Sequence, residues 1–157
     1  MSTLTVTLRE GGLADLADVM AVMDDSFEPC FGEAWTASQC AGLMPMPGVW
    51  LTLAREDGGT IGFALSRIVA DEAELLLLAV RRGAQGRGVG KSLLARFEAL
   101  ARRRGAARLH LEVRDGNRAV KLYETAGFGL IGRRPHYYSG PDGQNYDALT
   151  FAKIVSI

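Results

Sequence analysis

A chain of 157 residues with 48% hydrophobic content is the length of one domain, and burying roughly 70% of its unfolded surface gives it a core that needs no disulfide or metal staple. Its 18 basic and 18 acidic residues cancel, which excludes bulk attraction to nucleic acid or to an anionic membrane. Two cysteines, Cys30 and Cys40, and two histidines, His110 and His136, are too scattered for a zinc signature; the longest apolar run, Leu75 to Val80, is far short of a membrane span, and no secretion signal opens the chain. These features point to a cytoplasmic protein with no metal, no nucleic-acid partner and no membrane partner.

Alternation of Leu4, Val6 and Leu8 with polar neighbours predicts a first strand. Leu13 to Phe27 carries apolar residues at a helical period, and Trp35 to Leu43 reads as a second, short helix with Thr36 as its N-cap. Met44 to Gly48 breaks the chain. Val49 to Arg55 and Ile61 to Val69 predict a hairpin over Glu56-Asp57-Gly58-Gly59. Glu74 to Val80 is the next strand, apolar enough to imply burial on both faces. A helix follows, with Leu93, Leu94, Phe97, Leu100 and Ala101 on one side and Arg102-Arg103-Arg104 in its last turn, where cations offset the helix dipole. Ala107 to Arg114 returns as a strand, and Ala119 to Ala126 forms a helix closed by Gly127. Two strands, about Gly129 to Arg134 and Tyr146 to Ile154, flank a turn at Ser139 to Gly143.

The most informative stretch is LLAVRRGAQGRGVGKS, Leu77 to Ser92: an apolar strand entering a glycine-studded turn and then a helix. Gly83, Gly86, Gly88 and Gly90 remove side chains, so backbone N–H groups at the helix start converge into an anion site, with Arg87 and Lys91 adding charge at its rim. A nucleotide P-loop needs a glycine where Gln85 stands, and a dinucleotide fingerprint needs its third glycine where Lys91 stands. The pattern that fits is Q-x-x-G-x-G over Gln85, Gly86, Arg87, Gly88, Val89 and Gly90. A glycine-rich turn that binds nothing is the plain alternative.

On that loop the chain resembles the GNAT superfamily of N-acetyltransferases. The resemblance implies an α/β GNAT fold, a mixed central sheet of about seven strands flanked by four helices, and acetyl-CoA as co-substrate. It implies a strand before the loop that parts from its neighbour, so that Leu78, Ala79 and Val80 hold the pantetheine arm, while Gln85 to Ser92, with Lys91 included, hold the diphosphate. LEVRDGN (Leu111 to Asn117), LYETAGF (Leu122 to Phe128), Trp35-Thr36, and Tyr137-Tyr138 followed by Asp142-Gly143 narrow it: the chain is similar to the ribosomal-protein alanine N-acetyltransferases. That likeness implies a protein N-terminus as acceptor, possibly of a ribosomal protein, and a monomer or homodimer. A small-molecule amine acceptor, favoured by an acidic pocket to which Glu28 and Glu33 would contribute, and a non-catalytic acyl-CoA-binding module are the alternatives.

Glu112 and Tyr123 are the candidate catalytic residues. Leu109, Leu111 and Val113 take one side of their strand, leaving Arg108, His110 and Glu112 on the polar side, where Glu112 is either a base or a salt-bridged carboxylate. Tyr123 lies on the apolar stripe of its helix, either as the acid that meets the departing sulfur or as a core phenol. Asn117 is a cofactor contact or a helix cap. The family pattern puts an asparagine five residues after the strand glutamate and seven before the helix tyrosine; Asn117 is five after Glu112 but six before Tyr123, so Gly116 competes for the place. Tyr137 and Tyr138 are candidate acceptor contacts, or strand-edge packing. His110 and His136 read as surface groups.

Overall fold

The computed structural model describes residues 5–155. Leu4 of the expected first strand lies outside them. Seven strands form one sheet: β1 (Thr7–Gly11), β2 (Val49–Glu56), β3 (Gly59–Val69), β4 (Glu72–Val80), β5 (Arg108–Arg114), β6 (Gly129–Ser139) and β7 (Asn145–Ile154). The α-helices are α1 (Leu16–Ser26), α2 (Ala37–Leu43), α3 (Val89–Arg103) and α4 (Ala119–Thr125). The sheet order is β1-β2-β3-β4-β5-β7-β6, antiparallel throughout except for the parallel β4–β5 pair. This is the mixed α/β architecture that the resemblance implies.

Local chemistry explains most boundaries. The hairpin between β2 and β3 turns on Asp57 (φ 52°) and Gly58 (φ 74°), an Asp-Gly pair in the left-handed conformation that a tight two-residue hairpin requires. The first helix begins at Leu16 and not at Leu13, because Leu13–Asp15 is a separate 3-10 turn. α2 begins after Thr36 in a reciprocal cap: Gln39 N–H donates to Thr36 Oγ1 (3.1 Å), and Thr36 N–H donates to Gln39 Oε1 (2.7 Å). β6 continues past Arg134 to Ser139, beyond the expected end. Pro135 does not stop it, because the register slips between Arg134 and Tyr138, leaving the proline in a bulge.

Two cores sit on opposite faces of the sheet. α3 packs Leu93, Leu94, Phe97 and Ala101 over Ala73, Leu75, Leu109 and Leu111, while α1 and α2 pack Val19, Val22, Met23 and Cys40 over Leu53, Phe63, Leu65 and Leu77. β4 belongs to both, and a bulge decides how. Leu65 pairs with Leu77 and Ser66 with Leu75, so Leu76 has no partner on β3. The extra residue shifts the alternation: Ala73 and Leu75 enter the α3 core, whereas Leu77 and Ala79 enter the α1–α2 core. The expectation that β4 is buried on both faces is thereby corrected. Leu76, Leu78 and Val80 are only half-buried, because the far half of the strand borders a cleft.

Thr36→Ala removes one arm of the α2 cap and is expected to cost about 1 kcal/mol. In a chain of this size that lowers Tm by about 2–4 °C in a calorimetric scan.

Candidate active site

The cleft exists because β4 and β5 part company. They pair in parallel only from Glu72↔Arg108 to Leu75↔Leu111. Past that point β5 stays on β7 as far as Arg114↔Ala148, while β4 stays on β3 as far as Val80↔Gly62. The strands diverge from the bulge at Leu76 onward, and a cavity of about 1140 Å³ opens between them.

One wall carries free backbone. Arg81 N–H donates to Ile61 on β3 (2.8 Å), so strand alternation sends the amides of Leu78 and Val80 to the other side, into the opening. Gln85 caps this edge through Nε2 donating to the Val80 carbonyl (3.0 Å). Gly86 (φ 79°) and Gly88 (φ 81°) adopt the left-handed conformation that carries the chain into α3, and a Cβ at either would meet nothing within 4 Å. The first bond into α3 runs from Ser92 N–H to the Gly88 carbonyl (3.0 Å), so the amides of Val89, Gly90 and Lys91 precede the ladder and point out of the helix start.

Of the residues expected to hold a donor here, Leu78, Ala79, Val80, Gln85, Gly86, Gly88, Val89, Gly90, Lys91 and Asn117 line the cleft. Arg87 and Ser92 do not line it. The Arg87 guanidinium is paired with both carboxylate oxygens of Glu56, which holds that carboxyl below its usual range. The buried Val89 side chain packs in the α3 core, so its contribution at the wall is its main chain. Asn117 also caps α4: its Oδ1 accepts from Ala119 N–H (2.8 Å), and its Nδ2 donates to Glu33 (2.7 Å). The capping expectation for Asn117 is met, and its side chain is committed to the protein at the edge of the cleft.

The opposite end brings together Glu112, Tyr123, Tyr137 and Tyr138, all lining the same cavity. Glu112 projects from the half-buried face of β5, as its alternation requires. Arg134 Nε lies 3.1 Å from Glu112 Oε2, yet the alignment is not that of a hydrogen bond, and this buried oxygen has no hydrogen-bond partner. Burial raises the Glu112 carboxyl above the usual glutamate range; Arg134 opposes that shift, Glu74 adds to it and His110 opposes it. The cation beside Glu112 is therefore Arg134, not the strand neighbours Arg108 or Arg114. Tyr123 is buried against Phe128, and desolvation, helped by the Glu33 charge, pushes its phenol well above the ordinary tyrosine value.

Tyr137 and Tyr138 meet edge to face with centroids 5.0 Å apart on the β6 bulge. His136, at φ 56°, turns that bulge and donates its backbone N–H to Asp147 Oδ1 (3.0 Å). Tyr137 is half exposed and stacks near Arg134, while Tyr138 is half-buried, with its phenol likewise raised by burial. His110 is not a plain surface group. It sits 3.7 Å from Glu74, whose own partner is Arg67 at 2.9 Å, and Glu74 raises its pKa. Arg67 and Glu74 also line the cleft, as do Leu76, Leu77 and Glu33. Nothing local in the sequence marks Arg67, Glu74, Leu76 or Leu77 as cleft residues, and Glu33 is marked only as an acid near the start of the chain.

The chain matches the acetyltransferase (GNAT) family over residues 16–128. It is 39% identical over 97 residues to the ribosomal protein bS18-alanine N-acetyltransferase of Haemophilus influenzae, which is 62% of this chain and 66% of that one. The aligned part thus spans about two thirds of that relative's length. The crystal structure of the ribosomal-protein-S18-alanine N-acetyltransferase from Escherichia coli superposes with a TM-score of 0.88 at 28% identity, covering 98% of this chain and 96% of that one. Ard1 from Thermoplasma volcanium superposes at 0.82 with 27% identity, covering 97% and 99%. The family match runs over well more than half of the chain, and the fold agrees with it: the chain is a member of the GNAT acetyltransferase family.

Proposed function

We propose that this protein acetylates the α-amine of a protein N-terminus, with the N-terminal alanine of a ribosomal protein as acceptor, in the cytoplasm. GNAT acetyltransferases use acetyl-CoA as co-substrate, and when bound it supplies the activated acetyl thioester. The cleft suits it: the open amides of Leu78 and Val80 match the amide-bearing pantetheine arm, and the helix-start amides of Val89, Gly90 and Lys91 match a diphosphate. The observation that carries the proposal is the arrival of Glu112 and Tyr123 in that same cleft, at the acceptor end. The relatives' activity supports the choice of acceptor.

The chemistry follows from the groups. An α-amine has a pKa of about 7.7–8.0, against about 10.4 for lysine, so near neutral pH a useful fraction is already nucleophilic. A weak base suffices. Glu112, ionised and with one oxygen unbonded, accepts the amine proton directly or through water as nitrogen attacks the carbonyl carbon. The carbon–sulfur bond breaks, and the Tyr123 phenol, kept protonated by its burial, donates toward the departing sulfur. Tyr137 and Tyr138 form the lip over the first residues of the acceptor. Glu33 is bonded to Arg114 and Asn117, and Glu28 stands 4.0 Å from Arg82, so both carboxylates already have cations or donors beside them and offer little to a polycationic acceptor.

Purified protein is expected to acetylate a peptide bearing a free N-terminal alanine, measured as thiol release. Turnover of a polyamine or aminoglycoside with none of the peptide would refute the acceptor. Glu112→Gln is expected to lower kcat by about a hundredfold or more and to erase the acid limb of its pH profile. The base acts ionised and its pKa is raised, so in wild type the rate falls as pH drops through a value above the ordinary glutamate one. Arg134→Ala removes the cation that opposes this shift and moves the limb to higher pH; an unmoved limb would exclude Glu112 as its source. Tyr123→Phe is expected to lower kcat by about a hundredfold, with acetyl-CoA affinity by calorimetry unchanged.

A further inference from the structure

The loop between α1 and α2 holds a buried carboxylate that takes or gives no proton in the reaction above. The Glu33 side chain is 8% exposed. Its Oε1 accepts from Arg114 Nε (2.9 Å) at the end of β5, and its Oε2 accepts from Asn117 Nδ2 (2.7 Å) at the start of α4. Each partner extends the reach. The Arg114 guanidinium lies 3.6 Å over the ring of Phe31, in the same loop as Glu33. Asn117 holds the Ala119 amide, so it fixes the first turn of the helix on which Tyr123 sits one turn later.

The loop is gripped from the other side as well. Phe31 meets Tyr146 edge to face at 5.2 Å, and a side chain at Gly32 would collide with the Ser139 carbonyl, as one at Gly140 would with that of Cys30. Main chain therefore touches main chain between this loop and the β6–β7 hairpin that bears Tyr137 and Tyr138.

We propose that Glu33 is a positioning residue, the tie that holds the α1–α2 loop to β5 and α4 and so fixes the cleft wall formed by this loop relative to the Tyr123 phenol. A carboxylate is suited to this because both oxygens accept, and both partners are donors. Glutamine at this position satisfies only one of them and sets an amide against a donor. Removing either arm leaves buried donors unpartnered, which makes the tie stiff. The same charge faces Tyr123 and Tyr138 and helps to keep both phenols protonated.

The test is hydrogen–deuterium exchange on full-length wild type and Glu33→Gln, followed by initial rates. In the variant, exchange is expected to rise together in residues 28–36 and residues 117–125, with a cooperative thermal transition retained. Acceptor kcat/KM is expected to fall about tenfold, with kcat and acceptor KM both affected, while the acetyl-CoA dissociation constant stays within about twofold. Faster exchange in the loop alone, or an acceptor kcat/KM within about twofold of wild type, would overturn the tie. Arg114→Lys keeps the charge but loses the Nε contact; if Glu33→Gln does not fold, the same paired rise in exchange is expected there, and its absence counts against the proposal. The kinetic arm rests on the α-amine acceptor and the exchange arm does not. A wild type that turns over no peptide refutes that acceptor and leaves the exchange result to judge Glu33.

Discussion

The proposed site depends on the place where β4 stops pairing with β5. A sheet normally satisfies its main-chain groups across every gap, and leaving a strand edge open is a liability that folded proteins manage with bulges, charge or cover. Here the open edge lies inside the sheet, between two strands each still bonded on its far side. The bulge at Leu76 makes this possible: it re-aims β4 and moves its later residues to the other core, so the strand stays anchored on both faces while its inner edge faces the cavity. The amides of the α3 start lie at the end of the same edge.

The electrostatics at the other end obey a simple balance. Burial raises the basicity of Glu112 and Arg134 opposes that rise, standing close without hydrogen-bonding the free oxygen. A tighter pair would make a poorer proton acceptor; removal of the cation would leave the carboxyl protonated over more of the working range. Tyr123 has the opposite need. Desolvation holds its proton, which is what the proposed mechanism asks of the group that meets the departing sulfur.

Much of this was legible in the sequence because it rests on local rules. The Thr36 cap, the Asp57-Gly58 turn, the glycine loop and the polar face of β5 each follow from a few adjacent residues. What escaped depends on residues distant in the chain. Six apolar residues from Leu75 to Val80 carry no mark of which one bulges, since Leu76 and Leu77 are chemically identical. Arg87 reads as a phosphate ligand until Glu56, from the β2–β3 hairpin, arrives beside it. Glu33 reads as one acid in a loop; only the fold sets it between Arg114 and Asn117. The strand expected to end at about Arg134 runs on to Ser139 because β6 bulges around Pro135, and a bulge leaves no trace in composition.

The open inner edge of β4 is the claim on which the rest stands, and amide exchange resolved by residue, with and without acetyl-CoA, addresses it directly. Binding is expected to slow exchange at Leu78 and Val80 and at Val89 to Lys91, and to leave Ala79, which faces β3, unchanged. Saturating acetyl-CoA that leaves Leu78 and Val80 unprotected would contradict the account.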